Sequence, residues 1–358
     1  MENLSNIIFL PLIISFIITV IATPVSLHYL KKFKVLDDPK KHKHPAIIHK
    51  KAVPRGGGIP LFAGAFIAGL IFLPFDKVII ASFLAAFVSL VVGILDDKFD
   101  ISPYIRFLVN IGCAILVVFM GATIPFITNP FGGILFLNHI TLPFFNGATI
   151  TFLSDLIAVL WIVWVMNMLN WSKGVDGQMP GIVAISAITI GVLSLRFSPL
   201  DVTSTTAATL SFIIAGASVG FLIFNFYPAK IFPGYGATSI YLLLAVASVL
   251  SSAKLATAIL VMGVPMIDGV FTITRRILSG KSPFWHDKKH LHHLLLDLGF
   301  SQRKIALFYW SVSAILGTIS LVLSSKGKLF AIIMVVILVG GALLFLHLLL
   351  NKSNETKL

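Results

Sequence analysis

An all-α polytopic membrane protein is the fold class predicted by this sequence, and three observations predict it. Of 358 residues, 57% are hydrophobic and only 11% charged, whereas soluble domains carry about a quarter charged residues. Apolar runs close to the length of a bilayer crossing recur from one end of the chain to the other. These runs are continuous rather than alternating, which selects helices over a β-barrel.

Eleven spans are expected, at about 7–28, 57–74, 78–95, 104–123, 148–169, 180–196, 206–226, 237–252, 255–278, 304–323 and 329–350. Each approaches the length needed to cross about 30 Å of hydrocarbon, the short ones by tilting or thinning the bilayer. The first run has neither a basic leader nor a small-residue cleavage site, so it reads as a retained helix. No strong internal repeat divides the chain, and residues 1–358 are expected to form one bundle. Segment 124–147 carries Asn129-Pro130 and Gly132-Gly133 between apolar alternations, which predicts a short hairpin on the outer leaflet. The single cysteine, Cys113, lies in an apolar run and has no intramolecular partner.

Orientation follows from the basic residues. With the N-terminus outside, 22 of the 27 Lys and Arg fall on the cytoplasmic side, nine of them between Lys31 and Arg55. Lys77, Arg196, Lys254, Lys326 and Lys328 remain outside. This asymmetry is the positive-inside pattern. It leaves the C-terminus cytoplasmic, with Lys352 and Lys357, and sets cytoplasmic loops near 31–56, 96–103, 170–179, 227–236 and 279–303. The expected location is the plasma (inner) membrane. The formal charge of +13 fits anionic lipid headgroups and phosphorylated substrates, and nucleic acid is not an expected partner.

Three polar segments fall on that same cytoplasmic face. Asp96-Asp97 ends the apolar run Ile79–Leu95, where charge must meet water because it is costly in hydrocarbon. Asn167 and Asn170 are one helical turn apart and precede Lys173, Asp176 and Gly177. Carboxylates and side-chain amides together suit Mg²⁺ or Mn²⁺. The third segment holds His286, His290, His292 and His293 among Asp287, Lys288 and Lys289. Zinc deserves consideration for such histidines, but the lysines and the lack of nearby cysteine fit a pyrophosphate better.

Two further features complete the candidates. Pro54-Arg55-Gly56-Gly57-Gly58 opens a helix, so its N–H groups and the Arg55 fork are available to an anion; His42, His44 and His49 lie in the basic run before it. Asp268 lies inside a span, as a functional acid or as a neutraliser for Arg275 or Arg276. Against each stands a plainer reading: a solvated helix end for the aspartates, amide capping for the asparagines, a basic loop touching lipid for the rest.

Taken together, the segments Pro54-Arg-Gly-Gly-Gly, Gly93-Ile-Leu-Asp96-Asp97, Asn167-x-x-Asn170 with Asp176-Gly177, Pro265-Met-Ile-Asp268 and His290-Leu-His292-His293 resemble the polyprenyl-phosphate N-acetylhexosamine-1-phosphate transferases, glycosyltransferase family 4. The His-Leu-His-His form is similar to the branch that uses UDP-N-acetylglucosamine or a related UDP-hexosamine. The resemblance implies transfer of a sugar-1-phosphate from a UDP-sugar to polyprenyl (undecaprenyl) phosphate with release of UMP, assisted by Mg²⁺ or Mn²⁺. By the same resemblance Asp96 and Asp97 orient or deprotonate the lipid phosphate. Asn170, Asp97 and Asp176 hold the metal. Arg55, Asn167, Lys173, Asp268, Arg275, Arg276, His290, His292 and His293 bind substrate. Membrane lipids are the expected surroundings, and a homodimer is compatible with this reading.

The chain departs from the family pattern twice. Lys173 stands where the family usually has Asp, and Tyr235 where a Gly-Asp-x-Gly-Ser loop usually has its Asp. Tyr is a poor Mg²⁺ ligand near neutral pH because its pKa is about 10. These departures favour a second hypothesis, a protein of the same fold that binds lipid phosphate or nucleotide-sugar without turnover; Asp96-Asp97 argues against it. A transporter is a third, and the scarcity of deep intramembrane acids argues against that.

Overall fold

The computed structural model describes residues 4–40, 49, 51–143, 149–196, 201–251, 255–285 and 287–355. A short π-helical turn, Ser5–Phe9, leads into α1 (Leu10–Lys32). Two two-residue strands, β1 (Leu36–Asp37) and β2 (Val53–Pro54), pair antiparallel before α2 (Gly58–Phe72). Then come α3 (Lys77–Phe99), α4 (Pro103–Phe119), α5 (Phe152–Trp171), α6 (Gln178–Ser194) and α7 (Val202–Asn225). A single 3₁₀ turn, Tyr235–Ala237, precedes α8 (Thr238–Leu250). The chain ends with α9 (Leu255–Val261), α10 (Gly263–Leu278), α11 (Leu291–Asp297), α12 (Gln302–Val322) and α13 (Ser325–Glu355).

Local chemistry places the helix ends. Asp76 caps α3 by accepting from the backbone N–H of Val78 and Ile79, both at 2.8 Å. Asp201 caps α7 through Ser204 N–H at 2.6 Å. Pro103 occupies the first turn of α4, where its missing N–H costs nothing. Gly177, at φ +78°, makes the left-handed turn into α6 that an L side chain disfavours.

Helix α8 is the axis of the bundle. Every residue from Thr238 to Val249 is buried, and α2, α3, α5, α6 and α7 all pack against it. A helix apolar on all sides finds its place where neighbours cover all of them. The outer helices instead turn large apolar side chains outward, among them Ile21 on α1, Leu108 on α4, Leu160 on α5 and Leu338 on α13. Apolar surface on this scale belongs against hydrocarbon. The protein is thus an all-α, multi-pass membrane protein.

Each of the eleven predicted runs falls on a helix. Among the described residues six helices are long and apolar enough to cross a membrane, and α9 with α10 adds a seventh that is bent by 83°. The shorter apolar helices are Gly58–Phe72, Pro103–Phe119, Gln178–Ser194 and Tyr235–Leu250. The expected unbroken span 255–278 is therefore corrected: it breaks at Met262, just before Gly263 and Pro265, residues that favour a new helix start over a continuing one. Within 124–147 and its flank there are two ribbons rather than one hairpin. Phe126–Thr128 (β3) pairs with Ile134–Phe136 (β4), and Thr141–Pro143 (β5) with Thr149–Thr151 (β6). The second ribbon delays α5 to Phe152. The expected loop 279–303 contains the two-turn helix α11.

Candidate active site

The last turns of α3 carry two buried carboxylates, Asp96 and Asp97, at 3% and 8% exposure. Each has one oxygen occupied. Asp96 Oδ2 accepts from Arg106 of α4 at 2.9 Å. Asp97 Oδ1 accepts from Arg55 Nε at 2.9 Å and from the backbone N–H of Tyr235 at 2.8 Å. Among the described residues Asp96 Oδ1 and Asp97 Oδ2 have no hydrogen-bond partner. A buried acceptor left so costs about 1–3 kcal/mol, which points to a partner that arrives with the substrate.

The glycine run after Arg55 does something other than expected. Gly56 and Gly57 donate their N–H groups to Phe232 O at 3.3 and 2.9 Å, and Gly58 donates to Pro233 O at 3.0 Å. Those donors are consumed by the loop between α7 and α8, so the run is not an anion cradle. It permits close packing: a Cβ on Gly57 would overlap Phe221, and one on Gly58 would overlap the backbone of Gly236. The effect is to press Arg55 and the 232–235 loop against the end of α3.

The end of α5 brings in the amides and the lysine. Asn167 bonds back to Val163 O at 2.8 Å, while the buried Asn170 Oδ1 has no partner among the described residues. Lys173 Nζ donates to Gly234 O at 3.0 Å and lies 5.7 Å from the centre of the Tyr235 ring. Burial, and then the neighbouring Arg55 charge, lower the Lys173 pKa to about 7, with Asp97 working the other way. Asp176 Oδ2 accepts from Ala229 N–H at 2.9 Å, and the Asp176 N–H donates to Gln302 at 3.1 Å. That carboxylate therefore also ties down the start of the 229–234 loop.

The histidines are organised by Asp268. Its Oδ2 lies 2.9 Å from His290 Nδ1, and its Oδ1 accepts the Leu291 N–H at 3.0 Å. The alternative in which Asp268 neutralises Arg275 or Arg276 is corrected. Those arginines lie two turns on and pair instead with Asp287, at 2.8 and 3.0 Å. The rings of His290 and His292 stack with 5.6 Å between centres, and His293 stands 4.3 Å from His292. Burial and the adjacent histidines hold His292 well below the usual pKa, and burial and His290 lower His293 to about 4. Both are neutral at pH 7. His286, His42 and His44 lie outside the described residues.

These groups face one cavity of about 370 Å³, lined by Arg55, Asp96, Asp97, Asn167, Asn170, Lys173, Asp176, Arg276, His290, His292 and His293. Asp268 and Arg275 stand behind it, in the roles just described. Residues that sequence reasoning missed are there too, Arg106 and the aromatic side chains of Trp171, Phe284 and Trp285, and His49 of the basic run joins them. Arg106 was detectable, because an arginine one turn into an apolar helix is costly unless it has a partner. Its guanidinium also lies 4.9 Å from the centre of the Tyr235 ring, whose hydroxyl accepts from Asn110 at 3.0 Å.

The profile of glycosyl transferase family 4 matches residues 79–252. A probable undecaprenyl-phosphate N-acetylglucosaminyl 1-phosphate transferase of Bacillus subtilis is 31% identical over 336 residues, covering 91% of this chain and 88% of its own. The chain belongs to glycosyl transferase family 4. An undecaprenyl-phosphate alpha-N-acetylglucosaminyl 1-phosphate transferase of Thermotoga maritima is 30% identical over 342 residues, 94% of this chain and 97% of that one. A decaprenyl-phosphate N-acetylglucosaminephosphotransferase of Mycobacterium tuberculosis is 30% identical over 336 residues, 84% and 80% of the two chains.

The charged groups of this family 4 site bear on the expected metal ion. Among the described residues no three His, Cys, Asp or Glu side chains come together to hold a metal ion. Asp97 is engaged by Arg55, Asp176 by Ala229, and the Lys173 ammonium stands in the same cavity. Asp96 Oδ1, Asp97 Oδ2 and Asn170 Oδ1, each without a partner among the described residues, line this cavity and are the protein oxygens that a Mg²⁺ or Mn²⁺ completed by water and substrate phosphates would take.

Proposed function

We propose that this protein moves an N-acetylhexosamine-1-phosphate from a UDP-sugar to a polyprenyl phosphate, such as undecaprenyl phosphate. The reaction releases UMP and leaves a polyprenyl-pyrophosphate-linked sugar for cell-envelope polysaccharide synthesis. What carries this reading is the convergence of the Asp96-Asp97, Asn167–Asp176 and His290–His293 segments on one cavity in a chain aligned over nearly its whole length with transferases of that type.

The chemistry follows from the groups present. An oxygen of the lipid phosphate attacks the sugar-side phosphorus of the UDP-sugar, and the bond to the UMP oxygen breaks. Such a transfer depends on positioning and on neutralising charge. Asp97, anchored through one oxygen by Arg55 and Tyr235, orients or deprotonates the lipid phosphate with the other, and Asp96 is held beside it by Arg106. Arg276 and the neutral imidazoles of His292 and His293 take phosphate or sugar oxygens. Asn167, Asn170 and Asp176 position the nucleotide or sugar. The aromatic rings of Trp171, Phe284 and Trp285 suit a stacked base.

The reaction belongs on the cytoplasmic face of the plasma membrane. Eleven spans with the N-terminus outside and the C-terminus inside place 22 of 27 basic residues there, together with all three polar segments. The four shorter helices complete that count by tilting or by local thinning of the bilayer.

The experiment is UMP release from UDP-N-acetylglucosamine by membranes containing the protein, with added undecaprenyl phosphate. UMP formed only with both substrates is expected. Lys173 and Tyr235, at positions usually acidic in the family, favour the second reading, a protein that binds the nucleotide-sugar without turnover; tight binding with no UMP from any UDP-hexosamine would establish it instead.

A further inference from the structure

Helices α2 and α3 leave a groove between them on the lipid-facing wall of the bundle. Its volume is about 570 Å³, and no side chain lining it is polar. The floor is formed by Phe62 and Phe83, both 8% exposed, and by Gly69, where a Cβ would overlap the Phe83 ring. The rims are exposed apolar side chains, Leu70 on α2 and Ile80, Leu84 and Phe87 on α3. Phe62 and Phe66 stack with 5.5 Å between ring centres, and Phe66 meets Phe83 edge-on at 5.6 Å. These ring contacts hold the groove open in a fixed shape.

Its contents follow from its lining. A cavity without polar groups gives water no partner, and an empty one forfeits the dispersion contacts of its walls. Hydrocarbon is what remains. A neighbouring helix, about 10–12 Å across with its side chains, would lie over the groove rather than in it, whereas a single hydrocarbon chain can enter.

Position along α3 decides which lipid supplies the chain. The groove opens at Pro74-Phe75, in the turn joining α2 to α3. Asp97 lies about 30 Å along α3 from Lys77, a distance that matches the hydrocarbon thickness. The mouth of the groove is therefore at the membrane surface opposite the cavity. Its inner end, at Phe87, stops about 15 Å short of Asp97. A lipid whose headgroup sits at the cavity has to cover that distance before touching the groove. A lipid of the opposite leaflet enters it with the first methylenes of its chain.

We propose that this groove binds one acyl chain of a bilayer phospholipid from the leaflet opposite the cavity, and that the chain completes the packing between α2 and α3.

The test uses the full-length protein in vesicles of phosphatidylethanolamine and phosphatidylglycerol, with a trace of phosphatidylglycerol carrying a diazirine at the glycerol end of one acyl chain. After irradiation, adducts are expected on residues 73–84 at several times their level on the equally lipid-facing α13. Unlabelled phosphatidylglycerol should compete, and undecaprenyl phosphate should not. Ile80→Trp fills the groove and is expected to cut labelling there about tenfold, the effect of shutting out some two methylenes of the chain. Added phosphatidylglycerol should raise the melting temperature of the delipidated protein and leave that of Ile80→Trp unmoved. Leu84→Trp gives the same readouts if Ile80→Trp fails to fold. Adducts spread evenly over the outer helices overturn the proposal. So does displacement of the label by undecaprenyl phosphate, which would assign the groove to the isoprenoid chain, and so does cross-linking of two copies of the protein at residues 80–87.

Discussion

Asp268 Oδ2 lies 2.9 Å from His290 Nδ1, across a gap of 22 residues. The same carboxylate accepts the Leu291 N–H at 3.0 Å, and both residues are buried. One acid inside α10 thus fixes an imidazole of the cavity wall and the first turn of α11.

Asp268→Ala removes both acceptors, stranding the buried Leu291 N–H and leaving His290 Nδ1 only the longer 3.3 Å contact with Thr272 Oγ1. The expected loss is about 1–3 kcal/mol of stability for the stranded N–H, visible as a lower melting temperature of the protein in detergent. UDP-N-acetylglucosamine binding should weaken with it, since His290 loses its orientation. Asp268→Asn keeps one acceptor and should fall between. A melt identical to that of the unaltered protein would remove Asp268 from this role.

Asp97→Asn keeps the shape of the side chain and an acceptor for Arg55 and Tyr235, but it loses the charge. UMP release is expected to fall by about 10²–10⁴, the usual cost of removing a positioned base. Membrane insertion and melting temperature should change little. Full activity in this variant would exclude Asp97 from the transfer.

Lys173 makes a pH prediction with a definite sign. Burial and Arg55 lower its pKa to about 7, whereas an unfolded lysine keeps its proton to about 10.4. Between those values the unfolded state holds more protons, so stability rises with pH from about 7 upward. Below pH 7 the charged lysine costs the folded state most. Lys173→Met should therefore raise the melting temperature at pH 6 and have a smaller effect at pH 9. In the unaltered protein UDP-N-acetylglucosamine affinity should drop as pH passes upward through about 7, because the sugar diphosphate itself does not titrate there.

Two glycines separate packing from backbone freedom. A Cβ on Gly58 would overlap the backbone of Gly236, whereas one on Gly280 would meet nothing within 4 Å, although its φ is +69°. Gly58→Ala should therefore damage folding and lower the yield of monodisperse protein, since backbone cannot move aside as a side chain can. Gly280→Ala should cost about 1 kcal/mol from its left-handed conformation alone. Similar melts for the two variants would argue against the close approach of α2 to the 234–236 loop.

The helices other than α11 were legible because they are written in contiguous apolar runs, and hydrocarbon demands that every backbone group be satisfied within the segment. The bend at Met262 was less so. Gly263 and Pro265 allow a new helix to start, but packing against α12 and α13 decides whether it does. The two ribbons between α4 and α5 were half legible, since Asn129-Pro130 and Gly132-Gly133 signal only the first turn. For the site, Asp96, Asp97, Asn170, Lys173 and the His290–His293 segment could be singled out because charge, amide and imidazole are conspicuous at the ends of apolar runs.

Residue types and their spacing along the chain therefore determined the membrane-embedded helical class and the polar segments, because burial and charge are properties of local sequence. Partnership was decided only in three dimensions. Asp268 chose His290 over the arginines of its own helix, the glycine run spent its donors on Phe232 and Pro233, and Arg106 and Lys173 met over the ring of Tyr235. Such choices turn on distances of a few ångströms between residues tens or hundreds of positions apart, and only the packing of helices around α8 sets those distances.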